Sequence, residues 1–157
     1  MKEFVFSLRA LLRYKQTLER LQKAELSQAQ AELRALEAQL AQVFEEFERC
    51  RGELGETLRE NKGVIEALVR YDGYFRHLNT QKKLLLVKIK RAEERRDKCM
   101  ETLIVTMKEI KAYKKLNKEQ YLRYLKEAQA EEEKNMGDLI SFDASREEDG
   151  QADGTDG

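Results

Sequence analysis

Histidine, cysteine and phosphate-cradling glycine build most catalytic and metal sites, and this 157-residue chain arranges them poorly for either purpose. Its one histidine, His77, is flanked by Tyr74, Arg76 and Leu78. None of these is the base or nucleophile partner that acid–base catalysis needs. Cys50 and Cys99 form no Cys-x-x-Cys pair, and no His-Glu-x-x-His occurs. No lysine follows the glycines as in a phosphate-binding loop. The expectation is a chain without catalysis, cofactor or metal, with His77 an ordinary surface or interface side chain.

The residues that could do chemistry are those of recognition. Lys82–Lys126 carries 15 basic and 6 acidic residues, with Lys111, Lys114, Lys115 and Lys118 interleaved by Tyr113. Such a face suits an acidic protein partner or plain solvent. Nucleic acid is a weaker reading, because acidic residues interrupt the stretch. Phe44, Phe47, Tyr71, Tyr74 and Phe75 gather in mid-chain, and Phe4, Phe6, Leu8, Leu11 and Leu12 at the start. Aromatic and apolar side chains beside a packed seam are docking candidates.

These groups must be positioned by helices. Charged residues make up 38% of the chain, apolar residues 41%, and proline and tryptophan are absent. Turn-rich sandwiches and barrels rely on proline and glycine, so they are disfavoured. A compact α/β enzyme is disfavoured too, for want of apolar strand runs. Leu26, Ala29, Leu33, Leu36, Leu40, Val43, Phe47, Cys50 and Leu54 recur at steps of three and four, the seam of a coiled coil. Upstream, Leu11, Tyr14, Leu18 and Leu21 follow the same rule, joined through Glu25 by one extra step of four, a stutter. A second run goes from Leu68, Tyr71, Phe75 and Leu78 through Lys82, Leu85, Ile89, Ala92, Arg96, Cys99 and Leu103 to Met107, Ile110, Tyr113 and Leu116. Lys82 and Arg96 can lie along the seam with their charges in water.

Gly52, Gly55, Asn61 and Gly63 weaken the stretch between the runs, and the turn is expected at 59–63. The expected fold is all-α: an antiparallel two-helix coiled-coil hairpin over 1–137, with helix one at about 7–58 and helix two at about 64–136, ended by Gly137. Residues 138–157 read as an acidic, disordered tail. Folding about residue 61 sets Leu54 opposite Leu68, Phe47 opposite Phe75, Leu33 opposite Ile89 and Leu11 opposite Ile110 or Lys111. A parallel dimer would instead set Lys82 and Arg96 beside their own copies.

At 1.5 Å per residue helix one would be ~75–80 Å long and helix two ~110 Å, so residues 118–136 should overhang without a partner. Cys50 and Cys99 would then lie ~40 Å apart, too far for a disulfide, and read as small buried hydrophobes. Charge is segregated: 11 basic and 11 acidic residues in 1–63, 18 and 12 in 64–136, and 1 and 7 in 137–157. The acidic tail reads as solubilising, or as an autoinhibitory contact with the basic helix. Phe142 within it suggests a short linear motif. No apolar run approaches the ~20 residues of a membrane span, and charges interrupt the N-terminal apolar stretch. Two cysteines without a secretory signal suggest a reducing cytosol.

The opening Phe4-Val5-Phe6-Ser7-Leu8-Arg9-Ala10-Leu11-Leu12-Arg13-Tyr14-Lys15 resembles the start of the bacterial flagellar export protein FliJ family. Tyr71-x-x-Tyr74-Phe75-x-x-Leu78 resembles that family's segment after the turn. Lys111-Ala112-Tyr113-Lys114-Lys115-Leu116, then Tyr121 and Glu131–Asp138, resembles its closing pattern. The likeness spans about 4–138 and leaves the acidic 147–157 outside it. It implies an antiparallel two-helix coiled coil similar to the central shaft of rotary ATPases. It also implies a non-enzymatic cytoplasmic part of the type III export apparatus, held at the inner face of the membrane only through partners. Those partners would be the hexameric export ATPase, the export gate membrane protein and export chaperones. On this chain the ATPase candidates are Phe4, Phe6, Leu8, Leu12, Arg13, Lys111, Lys114, Lys115, Lys118 and Tyr121. The gate candidates are Val43, Phe44, Phe47, Tyr71, Tyr74 and Leu78. A generic coiled-coil scaffold or chaperone, or a rotary ATPase central-stalk subunit, is the alternative.

Overall fold

A computed structural model describes residues 2–152, with side chains described for 2–150. Two helices account for nearly all of it: α1 (Arg9–Glu60, 52 residues) and α2 (Val64–Ala152, 89 residues). No strand occurs among the described residues. Leu, Ala, Glu, Gln, Lys and Arg, the strongest helix formers, dominate α1, so its helix runs unbroken through Gly52 and Gly55. The turn is tight. Asn61 (φ 53°) and Gly63 (φ 61°) both take left-handed backbone, which Asn tolerates and Gly adopts freely. The Ala67 N–H donates to the Gly63 carbonyl at 3.0 Å, starting α2.

The chain divides into two compact units. In the unit formed by 17–107, α1 and α2 run antiparallel from the turn. The Tyr71 hydroxyl donates to Glu53 Oε2 at 3.0 Å and Arg95 Nη1 to Glu32 Oε2 at 2.6 Å. The Phe47 and Phe75 rings meet with centroids 4.9 Å apart, as folding about residue 61 requires. The core centres on Leu78, 1% exposed, with Val43 and Leu85 buried beside it and Leu36, Leu40, Tyr74 and Phe75 packed around. Burying a leucine so fully stabilises by ~1.5–3 kcal/mol. Cys50 and Ala29 lie on the same seam, and Cys50 and Cys99 are free thiols.

The other unit joins residues 1–16 to 108–157. Lys15 Nζ lies 2.5 Å from Glu109 Oε2, the Ser7 hydroxyl donates to Gln120 Oε1 at 3.4 Å, and the Tyr124 hydroxyl donates to the Lys2 carbonyl at 2.9 Å. The overhang expected to begin near Lys118 is therefore shorter. Non-helical backbone ahead of α1 covers more length per residue than a helix. Residues 2–6 use that reach to cover α2 as far as Ala128.

Two expectations about the helices are corrected. The stutter near Glu25 is absent: Leu8, Leu12, Lys15, Glu19, Gln22, Leu26 and Ala29 keep an unbroken step of three and four on the covered face. Leu11, Tyr14 and Leu21 are exposed instead. On α2, Ala67 and Thr106 are buried where Leu68 and Met107 were expected, and Asn117 is half-buried where Leu116 was expected. The helix holds its phase and takes polar side chains into the seam rather than twisting to follow the nearest leucine. Thr106 satisfies its hydroxyl locally, donating to the Thr102 carbonyl at 3.2 Å.

Helix two does not end at Gly137; α2 continues to Ala152. Unlike proline, glycine only weakens a helix, by ~1 kcal/mol relative to alanine, and Met136 and Leu139 near it are good helix formers. The segment keeps one property expected of a tail: none of residues 129–150 is even half-buried. Its last turn carries no basic residue to favour the helix dipole, so local backbone bonds alone hold it. Residues 153–157, the rest of the expected tail, lie outside the described residues.

Candidate docking surfaces

In the 17–107 unit the six turn-side candidates divide by depth. Val43 and Leu78 are core, and they floor a groove of about 530 Å³. Phe44 and Phe47, 47% and 38% exposed, form its apolar wall, with Phe75 opposite and Glu48, Arg76, Asn79 and Lys82 on the rim. Lys82 Nζ sits over the Phe44 ring at 5.5 Å from its centroid, a cation–π contact. The seam position of Lys82 signalled that its head must leave the core; the aromatic it would find was not readable from spacing.

Tyr71 and Tyr74 serve the hairpin itself. The Tyr74 hydroxyl donates to Glu46 Oε2 at 2.9 Å, parallel to the Tyr71–Glu53 bond. Each carboxylate acceptor holds its phenol protonated, raising the tyrosine pKa above its ordinary value. Their ring faces remain half-buried. His77 is exposed, with its ring 6.5 Å from that of Tyr74.

In the unit of 1–16 and 108–157 the ten terminal candidates also separate. Phe6 is buried, and Leu8 and Leu12 are half-buried. Phe4 packs edge-on to Tyr121 at 5.1 Å and against Tyr124 at 5.5 Å. The apolar candidates thus hold the start of α1 to α2. Lys111, Lys114, Lys115 and Lys118 are exposed on α2, Arg13 is exposed on α1, and Tyr121 is 44% exposed at the edge of the aromatic cluster. A groove of about 350 Å³ lies between Phe4, Phe6, Arg9, Leu12, Arg13 and Asn117. The Lys15–Glu109 pair beside it raises the Lys15 pKa through its hydrogen bond, keeping the ammonium charged.

Among the described residues no group of three or more His, Cys, Asp or Glu could hold a metal ion. No helix among them is long and apolar enough to cross a membrane. What the molecule offers is two surfaces of different chemistry: an aromatic groove in one unit and a lysine-rich helix face in the other.

The family model described as "Flagellar FliJ protein" matches residues 4–149. No significant match is found to a curated protein or to a solved structure.

Proposed function

The chain belongs to the FliJ family, a non-catalytic component of flagellar protein export, and on that premise we propose that it is a stalk coupling the hexameric export ATPase to the export gate. The lysine face of the 1–16 and 108–157 unit docks into the ATPase ring. The Phe44–Phe47 groove of the 17–107 unit meets the gate, and export chaperones dock on the same protein. The protein works at the inner face of the membrane through these partners.

One observation carries the reading. The two chemistries lie on separate units: exposed Lys111, Lys114, Lys115 and Lys118 on one, and an aromatic-walled groove on the other. Lysines suit a ring interior lined by carboxylates, where they steer association and set register. Partly exposed phenylalanines beside a buried floor suit a partner's apolar anchor. Phe4, Phe6, Leu8 and Leu12 support the first surface from beneath by holding the start of α1 in place. Coupling requires that each surface bind two states of its partner with different affinity.

The test is capture of the export ATPase by the full chain, with ATP hydrolysis measured alongside. Binding with stimulated hydrolysis is expected, and lost when Lys114 and Lys118 become glutamate. A wild-type chain that leaves the ATPase unbound at low salt would refute the stalk reading.

A further inference from the structure

The exposed side of α2 beyond Lys108 carries a second heptad stripe, separate from the seam. Lys111, Lys115, Lys118, Leu122, Leu125, Gln129, Glu132, Met136, Ile140, Asp143 and Glu147 follow one another at steps of three and four, and every one is exposed. At 100° per residue these positions share one helix face. The stripe has a direction. Residues 108–126 contain 7 basic and 2 acidic side chains, and residues 127–149 contain 2 basic and 9 acidic. Its apolar members cluster near the middle: Leu122 is 49% exposed, Leu125 43%, Met136 64% and Ile140 68%.

We propose that this stripe binds a second copy of the chain, antiparallel, about a two-fold axis at Gln129. Reversing the stripe about Gln129 sets Lys111 opposite Glu147, Lys115 opposite Asp143 and Leu122 opposite Met136. A surface that is its own complement under reversal is what an isologous two-fold interface requires. Each charge pair occurs twice, once at each end, with a Leu122–Met136 contact on either side of the axis, while Ile140 falls beside the stem of Lys118 and Leu125 beside Glu132 and Glu133. A parallel pairing would oppose lysine to lysine and glutamate to glutamate, which disfavours it.

The described residues do not satisfy the stripe by themselves. Lysine half and acidic half lie on one continuous helix, so neither can reach the other. Among the described residues, a helical fold-back at Gly137 would set the last acidic one, Asp149, only opposite about Leu125, short of the lysines at 108–118. A second copy is therefore the occupant that brings opposite charges together. Where the lysine face also serves the ATPase ring, self-pairing and ring docking exclude one another. That consequence rests on the stalk reading, whereas the pairing does not.

Sedimentation velocity of the full chain at low salt tests the proposal. A monomer that shifts toward dimer with rising concentration is expected, with the association weakened at least tenfold in about 1 M salt, where the Debye length is ~3 Å. Two charge-reversed chains give the decisive comparison: Lys111→Glu with Lys115→Glu, and Asp143→Lys with Glu147→Lys. Each alone should be monomeric at concentrations where the wild type pairs, with unchanged helical circular dichroism. Mixed in equal amounts they should associate again, because both ends of the mixed dimer regain opposite charges. A wild type that stays monomeric at every concentration overturns the proposal. So do single variants that still dimerise, or a mixture that does not associate.

Discussion

The Tyr74 hydroxyl donates to Glu46 Oε2 across the hairpin at 2.9 Å, and Tyr71 repeats the arrangement with Glu53 nearer the bend. In both pairs a neutral phenol faces an ionised carboxylate, so losing the phenolic proton would set two negative charges together. The folded pKa of each tyrosine is raised above the ordinary 10.0, chiefly by that hydrogen bond. The contribution to stability is therefore complete below the unfolded pKa and is lost as pH rises through the folded one. Ultraviolet titration of tyrosinate should find Tyr71 and Tyr74 among the last tyrosines to ionise. In the double variant Glu46→Gln with Glu53→Gln, both should move back toward pH 10. Titration curves that coincide in the two proteins would remove the carboxylates as the cause.

Leu78 is the largest fully enclosed side chain described in the 17–107 unit, at 1% exposure beside Val43 and Leu85. Leu78→Ala removes that burial and leaves a cavity between helices that cannot collapse independently. A loss of ~2–5 kcal/mol is expected by urea unfolding. Leu68→Ala, at 44% exposure, should cost well under half as much. Equal losses would mean that the covered face of α2 is not the one described.

Gln22 is a polar residue in an apolar seam. It is 7% exposed, and its Oε1 finds no donor among the described residues. A buried acceptor without a partner costs about 1–3 kcal/mol. Gln22→Leu should therefore stabilise the protein, by ~1 kcal/mol or more, with helix content unchanged. A destabilised variant would show that Gln22 has a partner worth keeping.

These polar seam positions mark the limit of what was legible in the amino-acid order. The hairpin and the Phe47–Phe75 contact follow from apolar spacing, because the leucines between Leu26 and Leu54 leave one continuous choice, while the turn, expected at 59–63, is announced by Asn61 and Gly63 and separates Glu60 from Val64. Nearer the N-terminus spacing misled: Leu11, Tyr14 and Leu21 look like the seam, yet Lys15, Glu19 and Gln22 occupy it. A helix cannot change phase without distortion, and an ion pair such as Lys15–Glu109 makes a polar seam position tolerable. That partner lies 94 residues away in sequence, so no local pattern announces it. The split among the terminal candidates was hidden for the same reason. Phe4 and Lys118 look equally available until Tyr121 and Tyr124 are seen to cover the first and not the second.

That split decides how the two docking surfaces should be separated by mutation. Phe4→Asp with Leu8→Asp would abolish the Phe4–Tyr121 and Phe4–Tyr124 contacts and release the start of α1, so lost binding would not distinguish surface from scaffold. Lys114→Glu with Lys118→Glu changes exposed side chains alone and should leave helicity and urea midpoint unchanged. On the stalk reading this variant binds the ATPase at least tenfold more weakly while keeping wild-type affinity for the gate. Phe44→Asp, at the wall of the other groove, should do the reverse. The Phe44 ring is 47% exposed, so an aspartate there remains in water and the core beneath it stays apolar. Affinities of both variants for both partners, measured on the full chain, give four numbers. If either variant weakens both partners equally, the assignment of one partner to each unit is wrong.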